Sequence, residues 1–380
     1  MKKICFLAVL LPLWSLPGYA QTVAPVDTAA KQAFLIDANT GTVLYAKDAD
    51  TPMAPSSMSK LMTIYLAFEA LKTGKLTMDQ ELTTSEHAWR QEGSRTFLNV
   101  GQKARVEDLL RGVIVQSGND AAVVLAEGLG GSEPNFAEVM NAKARDLGLN
   151  NSHFTNSTGL PDPQHYMTAR DLGLLATALI RDFPDLYHYF AETEFIWNNI
   201  KQGNRNPLLY RNMQVDGLKT GHTDDGGYGL TASALRDGRR LVLVLNGMND
   251  MQMRADESAK LLDWGYREFG LYPVAKAGAE MATAKIWLGQ SSSVPLLAAE
   301  TVALTLPRNA RPGLKASVSY NEPIVAPITK GQPLGKLTVI APGMEAKEIP
   351  LLAGEDVPRV GLLKQIKAKL RYLAGHSPLS

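Results

Sequence analysis

The amino-acid sequence predicts an α/β protein: helices packed on an antiparallel sheet with a helical insertion, then a small all-β domain and a terminal amphipathic helix. Three observations carry this prediction. Strand patterns stand near both ends of residues 21–271, with mainly helical patterns between them. Proline and glycine punctuate short strand patterns in residues 272–350, and an apolar stripe lies among basic residues in 358–375. Strands gathered at the two ends of a domain favour one sheet with packed helices over alternating strand–helix–strand units.

The first twenty residues are predicted to be a secretory signal peptide. Met1-Lys2-Lys3 precedes the apolar residues 4–16, and Gly18-Tyr19-Ala20 supplies the small residues of a cleavage site after Ala20. The apolar stretch is short and is broken by Pro12 and Pro17, which disfavours a transmembrane anchor. The protein is therefore expected to be exported.

The composition is that of a soluble globular protein, with 45% hydrophobic and 20% charged residues. Two of the 39 basic residues lie in the predicted signal peptide, so the mature chain is near neutral and no nucleic-acid partner is expected. The single cysteine, Cys5, lies there too, which excludes a disulfide framework and a thiol nucleophile. The six histidines lack metal-ligand spacing, so no metal or other cofactor is expected.

The first domain, residues 21–271, is predicted to contain both the sheet and most of the helices. The predicted strands are residues 33–37, 42–45, 215–221, 228–235 and 240–245. The predicted helices are one that begins at Ser57 and ends at Lys72-Thr73-Gly74, followed by residues 106–115, 121–127, 136–147, 168–180 and 255–269. The helix after Ser57 is too apolar for a surface helix, so we expect it to be buried.

The second domain, residues 272–350, is predicted to be all-β. Its predicted strands are residues 282–288, 301–306, 316–320 and 335–341. The segment shows no catalytic constellation, and a spacer or protein-contact role is the plain interpretation.

The last predicted element is a basic amphipathic helix within residues 358–375. Leu363, Ile366, Leu370 and Leu373 fall on one helical stripe. The basic residues around it are Arg359, Lys364, Lys367, Lys369 and Arg371. Such a helix can lie in an anionic membrane surface, and the alternative is a helix docked on its own protein.

Three short motifs carry the candidate chemistry: Ser57-Met58-Ser59-Lys60, Ser117-Gly118-Asn119 and Lys219-Thr220-Gly221. In the first, a hydroxyl and an amine stand three residues apart, on one face of a helical turn. The hydroxyl is then a nucleophile at the positively polarised end of a helix, within reach of an amine that takes its proton. No histidine base is needed.

Each motif alone has an ordinary structural explanation. The first matches a helix N-cap followed by an exposed lysine, the second a turn, and the third the end of a strand. The ordered set of three favours a catalytic site. Residues 215–221 resemble a short strand whose Gly221 leaves room for a substrate backbone alongside it.

With its flanking residues, the set resembles the motifs of penicillin-recognising serine hydrolases, most closely the low-molecular-weight D-alanyl-D-alanine carboxypeptidases. The likeness is carried by residues 54–63, 115–122 and 215–223, and it extends over essentially the whole mature chain. Gly118 replaces an aspartate found in many relatives, which is usual for this subgroup. The resemblance implies a β-lactamase/transpeptidase-like fold for the first domain.

The resemblance also implies a role for each motif residue. Ser57 attacks the carbonyl of the penultimate D-alanine and forms an acyl-enzyme. Lys60 is the base, provided that burial and the nearby charge of Lys219 depress its pKa. Ser117 relays the proton to the leaving amine, and Asn119 orients the substrate backbone and the Lys60 amine.

The remaining site residues are expected to bind the substrate. The backbone N–H groups of Ser57 and His222 form the oxyanion hole. Lys219 and Thr220 face the terminal carboxylate, and Arg205 matches an arginine that helps to hold it in relatives. The His222 side chain is interpreted as local structure, with a general base as the alternative.

The function expected is removal of the terminal D-alanine from peptidoglycan pentapeptides, in cell-wall biogenesis and cell-shape maintenance, with β-lactams as covalent inhibitors. The resemblance places the enzyme peripherally on the periplasmic face of the inner membrane. A D,D-endopeptidase on peptidoglycan cross-links is the main alternative, and a non-catalytic β-lactam sensor is another. A β-lactamase is disfavoured because no glutamate occurs between Glu138 and Glu192 to activate a deacylating water.

Overall fold

The computed structural model describes residues 23–373, so the predicted signal peptide lies outside the described residues. The strands of the first domain are β1 (Gln32–Asp37), β2 (Thr42–Lys47), β3 (Glu81–Thr83), β4 (Lys103–Arg105), β5 (Glu194–Trp197), β6 (Ile200–Gly203), β7 (Val215–Thr223), β8 (Gly227–Arg236) and β9 (Arg239–Met248). The helices are α1 (Lys60–Lys72), α2 (Glu86–Trp89), α3 (Val106–Val115), α4 (Asn119–Gly130), α5 (Glu133–Asp146), α6 (Ala169–Asp182) and α7 (Met251–Glu268).

A five-stranded antiparallel sheet forms the centre of this domain, in the order β2-β1-β9-β8-β7. The helices α1 to α6 are inserted between β2 and β7. This is the predicted fold class, which is confirmed. Strand β7 stands at one edge of the sheet, and one side of its backbone has no partner strand in the part of the chain that the structure describes.

The sheet is covered on both faces, and the residues of its middle strands explain this. Phe34 of β1 and its cross-strand partner Val244 belong to the core cluster that includes α1 and α6. The next pair, Leu35 and Leu243, belongs to the cluster that includes α7. Because side chains alternate along a strand, an uninterrupted apolar run buries both faces of a sheet.

Helix α1 is the central helix and is buried over most of its length. Its C-terminal end is as predicted, since Gly74 follows in the left-handed conformation that ends many helices. Its start differs from the prediction: Ser57 lies in a 3-10 turn, Ser56–Ser59, and α1 begins at Lys60. Ser56 has φ +50°, a left-handed conformation that tightens the backbone immediately before the candidate nucleophile.

The second domain is built from strands only, apart from a 3-10 turn at Arg308–Gly313. Its strands are β10 (Phe269–Ala275), β11 (Glu280–Trp287), β12 (Ser293–Ala298), β13 (Val302–Pro307), β14 (Lys315–Tyr320), β15 (Ile324–Val325), β16 (Pro333–Ile340) and β17 (Lys347–Ala353). Six of them form one sheet in the order β14-β16-β17-β12-β11-β15, and β10 pairs with β13. Their inner side chains form a separate core cluster. Strand β10 runs across the predicted boundary at 271/272.

The chain ends in helix α8 (Leu362–Leu373), inside the predicted range 358–375. Its apolar side chains are exposed to solvent; they are Leu362, Leu363, Ile366, Leu370 and Leu373. The predicted alternative, a helix docked on its own protein, therefore does not describe this structure. No helix within residues 23–373 has both the length and the apolar composition needed to cross a membrane.

Candidate active site

The candidate nucleophile, Ser57, is half-buried in the turn that leads into α1. Two contacts fix this turn. The Met58 N–H donates to the Pro55 carbonyl at 3.1 Å, and the Ser56 hydroxyl lies 2.7 Å from the hydroxyl of Thr223 at the end of β7. The turn thus places the Ser57 hydroxyl at the N-terminal end of a buried helix and beside the edge strand.

Lys60 lies one turn further on, and its side chain is fully buried. Its Nζ atom is 2.9 Å from Ser57 Oγ, 2.6 Å from Asn119 Oδ1 and 2.5 Å from the carbonyl oxygen of Thr158. A neutral amine has two hydrogens and one lone pair. Because the amide and carbonyl oxygens can only accept, they take the two hydrogens and leave the lone pair facing the Ser57 hydroxyl. This is the geometry of a base.

The protonation of Lys60 matches this geometry. Burial and, to a smaller extent, the nearby Arg205 guanidinium together lower the pKa of Lys60 to about 7, whereas the carboxylates of Asp120 and Glu133 oppose the shift. The sequence pointed to Lys219 as the depressing charge. The two buried amines do interact: burial and then the charge of Lys60 hold the pKa of Lys219 well below its usual value.

The second motif connects α3 to α4 and supplies two groups to the site. Asn119, the first residue of α4, accepts from Lys60 through Oδ1 and donates through Nδ2 to the Glu92 carbonyl at 2.6 Å. Ser117 is buried and has φ +65°, a strained conformation for a residue other than glycine. Its hydroxyl makes no hydrogen bond to any described residue, so it is hydrogen-bonded to neither lysine of the site.

Asp120, directly after the second motif, is a site residue that the sequence reasoning missed. Its buried carboxylate accepts hydrogen bonds from the backbone N–H groups of Thr96, Phe97 and Leu98, at 2.8, 2.9 and 3.1 Å. It therefore holds the 96–98 segment against the start of α4. Its position next to the motif was the available signal.

The Thr158 carbonyl, the third oxygen on Lys60, was also missed. A backbone carbonyl has no signature in the residue type that carries it, so the sequence gives no signal for it. Asn156 shapes this loop: its Oδ1 accepts from the Thr158 and Gly159 N–H groups at 3.1 and 2.7 Å. Gly159 has φ +75°, and a Cβ atom there would lie 2.0 Å from the Ser56 carbonyl oxygen. Only glycine lets this loop approach the serine turn so closely.

Three basic side chains, Lys219, Arg205 and Arg254, lie close enough to one another for their charges to interact. Lys219 of β7 is buried, and among residues 23–373 its amine donates one hydrogen bond, to the Thr220 carbonyl at 3.2 Å. The charges of Arg205 and Arg254 contribute to lowering the pKa of Lys219, after burial and Lys60. None of the three cations is paired with an acid within residues 23–373.

Arg254, in the first turn of α7, is the member of this group that sequence reasoning did not single out. It is 7% exposed, and its Nε atom has no hydrogen-bond partner among the described residues. Burial lowers the pKa of its guanidinium. Arg205 sits at the exposed rim, where it donates to the Ser94 hydroxyl. Unpaired buried cations are costly unless an anion joins them.

The third motif occupies β7, where Gly221 packs against the serine turn. A Cβ atom on Gly221 would lie 2.9 Å from the Pro55 carbonyl oxygen and 3.1 Å from Met58 Cγ. Glycine is therefore needed here for the close approach of the serine turn, and the predicted room for a substrate backbone alongside the strand stays a prediction. Thr220 is buried next to it. The exposed His222 ring stacks on Tyr228, with ring centroids 3.8 Å apart.

The candidate site thus joins Ser57 and Asn119 through their contacts with Lys60, with Ser117 two residues before Asn119 and Lys219 close enough to Lys60 for their charges to interact. Among residues 23–373 there is no group of three or more histidine, cysteine, aspartate or glutamate side chains placed to hold a metal ion.

Comparison with known proteins finds the same architecture. The family described as D-alanyl-D-alanine carboxypeptidase matches residues 19–250, and the family described as penicillin-binding protein 5, C-terminal domain, matches residues 269–359. The chain is 37% identical to the D-alanyl-D-alanine carboxypeptidase DacA of Haemophilus influenzae over 374 residues, which cover 96% of this chain and 95% of that protein.

Two further relatives agree. The D-alanyl-D-alanine carboxypeptidase DacC of Escherichia coli is 39% identical over 354 residues, 91% of this chain and 88% of that protein. The crystal structure of penicillin-binding protein 5 from Haemophilus influenzae aligns with a TM-score of 0.80 at 38% identity, covering 89% of this chain and all of that one.

Proposed function

The chain belongs to the D-alanyl-D-alanine carboxypeptidase family, and we propose that it removes the terminal D-alanine of peptidoglycan pentapeptides through an acyl-enzyme on Ser57. The single observation that carries the mechanism is the set of three oxygens around Lys60 Nζ, which directs its lone pair at the Ser57 hydroxyl. The enzyme is a serine-type carboxypeptidase, and the roles of its residues follow from this contact.

Acylation begins with proton transfer from the Ser57 hydroxyl to the Lys60 amine. The Ser57 oxygen then bonds to the carbonyl carbon of the penultimate D-alanine, and the carbonyl oxygen becomes an oxyanion. The backbone N–H groups of Ser57 and His222 are assigned to stabilise it. Collapse of this tetrahedral intermediate breaks the C–N bond to the terminal D-alanine, and the leaving amine receives a proton.

The Ser117 hydroxyl is assigned to relay that proton: it gives its own proton to the leaving amine and takes in exchange the proton that Lys60 received from Ser57. It is buried at the site and has no protein partner among the described residues, which leaves it available to the leaving amine. D-Alanine departs with the proton, and Ser57 carries the ester. Water then attacks the ester, the shortened peptide leaves as an acid, and the Ser57 hydroxyl is restored.

Recognition of a free C-terminal carboxylate is assigned to the cationic group Lys219, Arg205 and Arg254. These side chains lack acidic partners among the described residues, and a carboxylate would provide the missing charge. The relatives that are D-alanyl-D-alanine carboxypeptidases support an exopeptidase over the alternative endopeptidase.

The substrate backbone is assigned to the free edge of β7. An extended peptide can pair with an edge strand through main-chain hydrogen bonds. β-Lactams acylate the enzymes of this family, and here the same attack on Ser57 would open the lactam ring. Because the ring keeps the leaving nitrogen tethered, the inhibitor stays in the site.

The location proposed for the enzyme is the periplasmic face of the inner membrane. Helix α8 supports this, because its apolar residues are exposed and basic side chains surround them. The N-terminal signal predicted from residues 1–20 supports export. A role in peptidoglycan synthesis and cell shape follows from the substrate.

A matched pair of peptides tests the proposed specificity. One ends in D-Ala-D-Ala with a free carboxylate, and the other carries a C-terminal amide in its place. We expect release of the last residue from the acid to be about 10- to 100-fold faster in kcat/KM, the order of magnitude of a lost charged hydrogen bond. Equal rates on both peptides would contradict carboxylate recognition.

A further inference from the structure

Glu133 is a buried carboxylate that the mechanism above does not use. It is the first residue of α5 and is 9% exposed. Its Oε1 atom accepts two hydrogen bonds from Ser157, from the N–H at 2.9 Å and from the hydroxyl at 2.6 Å. Its Oε2 atom lies 2.8 Å from Nε2 of His87 on α2. A carboxylate with this many partners fixes whatever segment it holds.

The segment that Glu133 holds, Ser157 and Thr158, contacts Lys60, the proposed base. The Ser157 carbonyl accepts a hydrogen bond from the Thr63 hydroxyl of α1 at 2.8 Å. The next carbonyl, that of Thr158, is the oxygen 2.5 Å from Lys60 Nζ. Ser157 is therefore held from both sides, by Glu133 of α5 and by Thr63 of α1, and Thr158 follows it by one peptide bond.

We propose that Glu133 is a positioning residue for the base: it fixes Ser157 so that the Thr158 carbonyl stays on the Lys60 amine. The inference rests on the proposed function, because it requires Lys60 to act as the base. The amine lone pair faces Ser57 only while two acceptors hold its two hydrogens. Asn119 is one acceptor, and the other is the carbonyl that Glu133 keeps in place.

The charge of Glu133 acts on the same amine. The charged groups that face Lys60 are Asp120 from α4, Glu133 from α5, Arg205 from the loop after β6 and Lys219 from β7. The two carboxylates oppose the lowering of the Lys60 pKa. His87 contacts Glu133, and His165 lies close enough to both Lys60 and Glu133 for their charges to affect its own pKa.

The Glu133→Gln substitution separates the effect of the Glu133 charge on Lys60 from the effect of its hydrogen bonds on the position of Ser157. The glutamine keeps an oxygen for the two Ser157 donors but loses the negative charge. Without that charge the Lys60 pKa falls, so the free base persists to lower pH. We expect the acidic limb of the kcat/KM profile to move down by roughly 0.5 pH unit, while the plateau at high pH stays within about threefold of the wild type.

The Glu133→Ala and Ser157→Ala substitutions test whether these hydrogen bonds keep the Thr158 carbonyl in place. Glu133→Ala removes both hydrogen bonds to Ser157, and we expect the plateau of kcat/KM to fall about tenfold or more. Ser157→Ala keeps the Glu133 charge and loses one bond, so the plateau falls less and the acidic limb stays in place. The matched control is Glu138→Gln, an exposed glutamate on the same helix, which should leave both quantities unchanged.

Each profile is measured both for D-alanine release and for acylation by a β-lactam, since acylation isolates the step in which Lys60 takes the proton. The set is repeated in a His87→Gln background, so that protonation of that histidine does not enter the profile. Melting curves identify any variant that fails to fold. If Glu133→Ala does not fold, Glu133→Gln and Ser157→Ala still decide the question.

The proposal is overturned if folded Glu133→Ala keeps a wild-type plateau, or if Glu133→Gln loses activity equally at every pH. The second result would mean that Glu133 serves the fold alone. A wild-type protein that releases no D-alanine would instead refute the proposed function, and that outcome is visible before any Glu133 variant is made.

Discussion

The amine of Lys60 has three oxygens within 2.9 Å, and no carboxylate of residues 23–373 forms an ion pair with it. This arrangement makes a lysine usable as a base near neutral pH, since an ordinary lysine is almost fully protonated there. Burial accounts for most of the change. At the residue scale, the chemistry therefore depends on keeping water away from one side chain.

The pH dependence of the reaction follows from this pKa. Lys60 works only as the free base, and its pKa of about 7 means that the active form is lost as the pH falls through that value. We expect kcat/KM for D-alanine release to decline about tenfold per pH unit below 7. Lys60→Ala should reduce β-lactam acylation by about 10²- to 10⁴-fold, while the exposed control Lys75→Ala keeps the wild-type profile. A flat profile between pH 5 and 7 would contradict the assignment.

Arg254 gives a second prediction at this scale. Arg254→Gln removes a buried cation from the proposed carboxylate site, so kcat/KM for a peptide with a free C-terminus should fall about 10- to 100-fold. The same peptide with a C-terminal amide should lose much less. Because the guanidinium has no acidic partner among the described residues, the melting temperature should not fall. Arg267→Gln, at the exposed end of α7, is the control; equal losses on both peptides would refute the role.

At the scale of elements, the site depends on how closely loops approach the serine turn. Gly159→Ala would place a Cβ atom 2.0 Å from the Ser56 carbonyl, in a left-handed backbone conformation. We expect it to lower the free energy of unfolding by about 3 kcal/mol or more and to abolish acylation. Gly148 has a similar φ of +73° but open space around its Cβ direction, so Gly148→Ala should cost only about 1–2 kcal/mol. Similar losses in the two variants, measured by urea unfolding, would show that the close contact is unimportant.

The sequence predicted the elements where a pattern was long and regular. Helix α3 has the predicted bounds, and the strands of the central sheet lie within a few residues of theirs. The 3-10 turn before α1 was missed, because apolar spacing does not separate one tight turn from the first turn of an α-helix. Strands β12 and β17 were also missed, since short strands in a Pro- and Gly-rich segment carry little periodic signal.

The candidate site could be predicted only where a sequence motif specifies the side chain. Ser57, Lys60 and Asn119 come from motifs that specify side chains, and the structure brings them into contact. The Thr158 carbonyl and the Arg254 guanidinium come from elements distant in sequence, so only the fold places them in the site. The catalytic roles themselves, including those of Ser117, Thr220, His222 and Arg205, stay predictions.

At the scale of the whole molecule, helix α8 is notable because its large apolar side chains are exposed. Arg359 donates to the Ala326 carbonyl and the Val360 N–H to the Leu288 carbonyl, so both belong to the second domain. A chain ending at Gly361 therefore lacks α8 and the residues after it, and it keeps the second domain. We expect it to lose binding to vesicles that contain anionic lipid while it retains full D-alanine release.

The full-length chain on purely zwitterionic vesicles is the control, and it should sediment less than on anionic ones. A shortened chain that still sediments with anionic vesicles would contradict a role of α8 in membrane association. So would a full-length chain that stays in solution at low salt.

The most direct test of the account is D-alanine release from a muramyl-type pentapeptide that ends in D-Ala-D-Ala, with the mature protein beside a Ser57→Ala control. We predict release by the wild type alone, together with a β-lactam adduct on Ser57 detected by intact mass. Release by both proteins would contradict Ser57 as the nucleophile. An adduct on Ser57 without any release of D-alanine would contradict the carboxypeptidase itself.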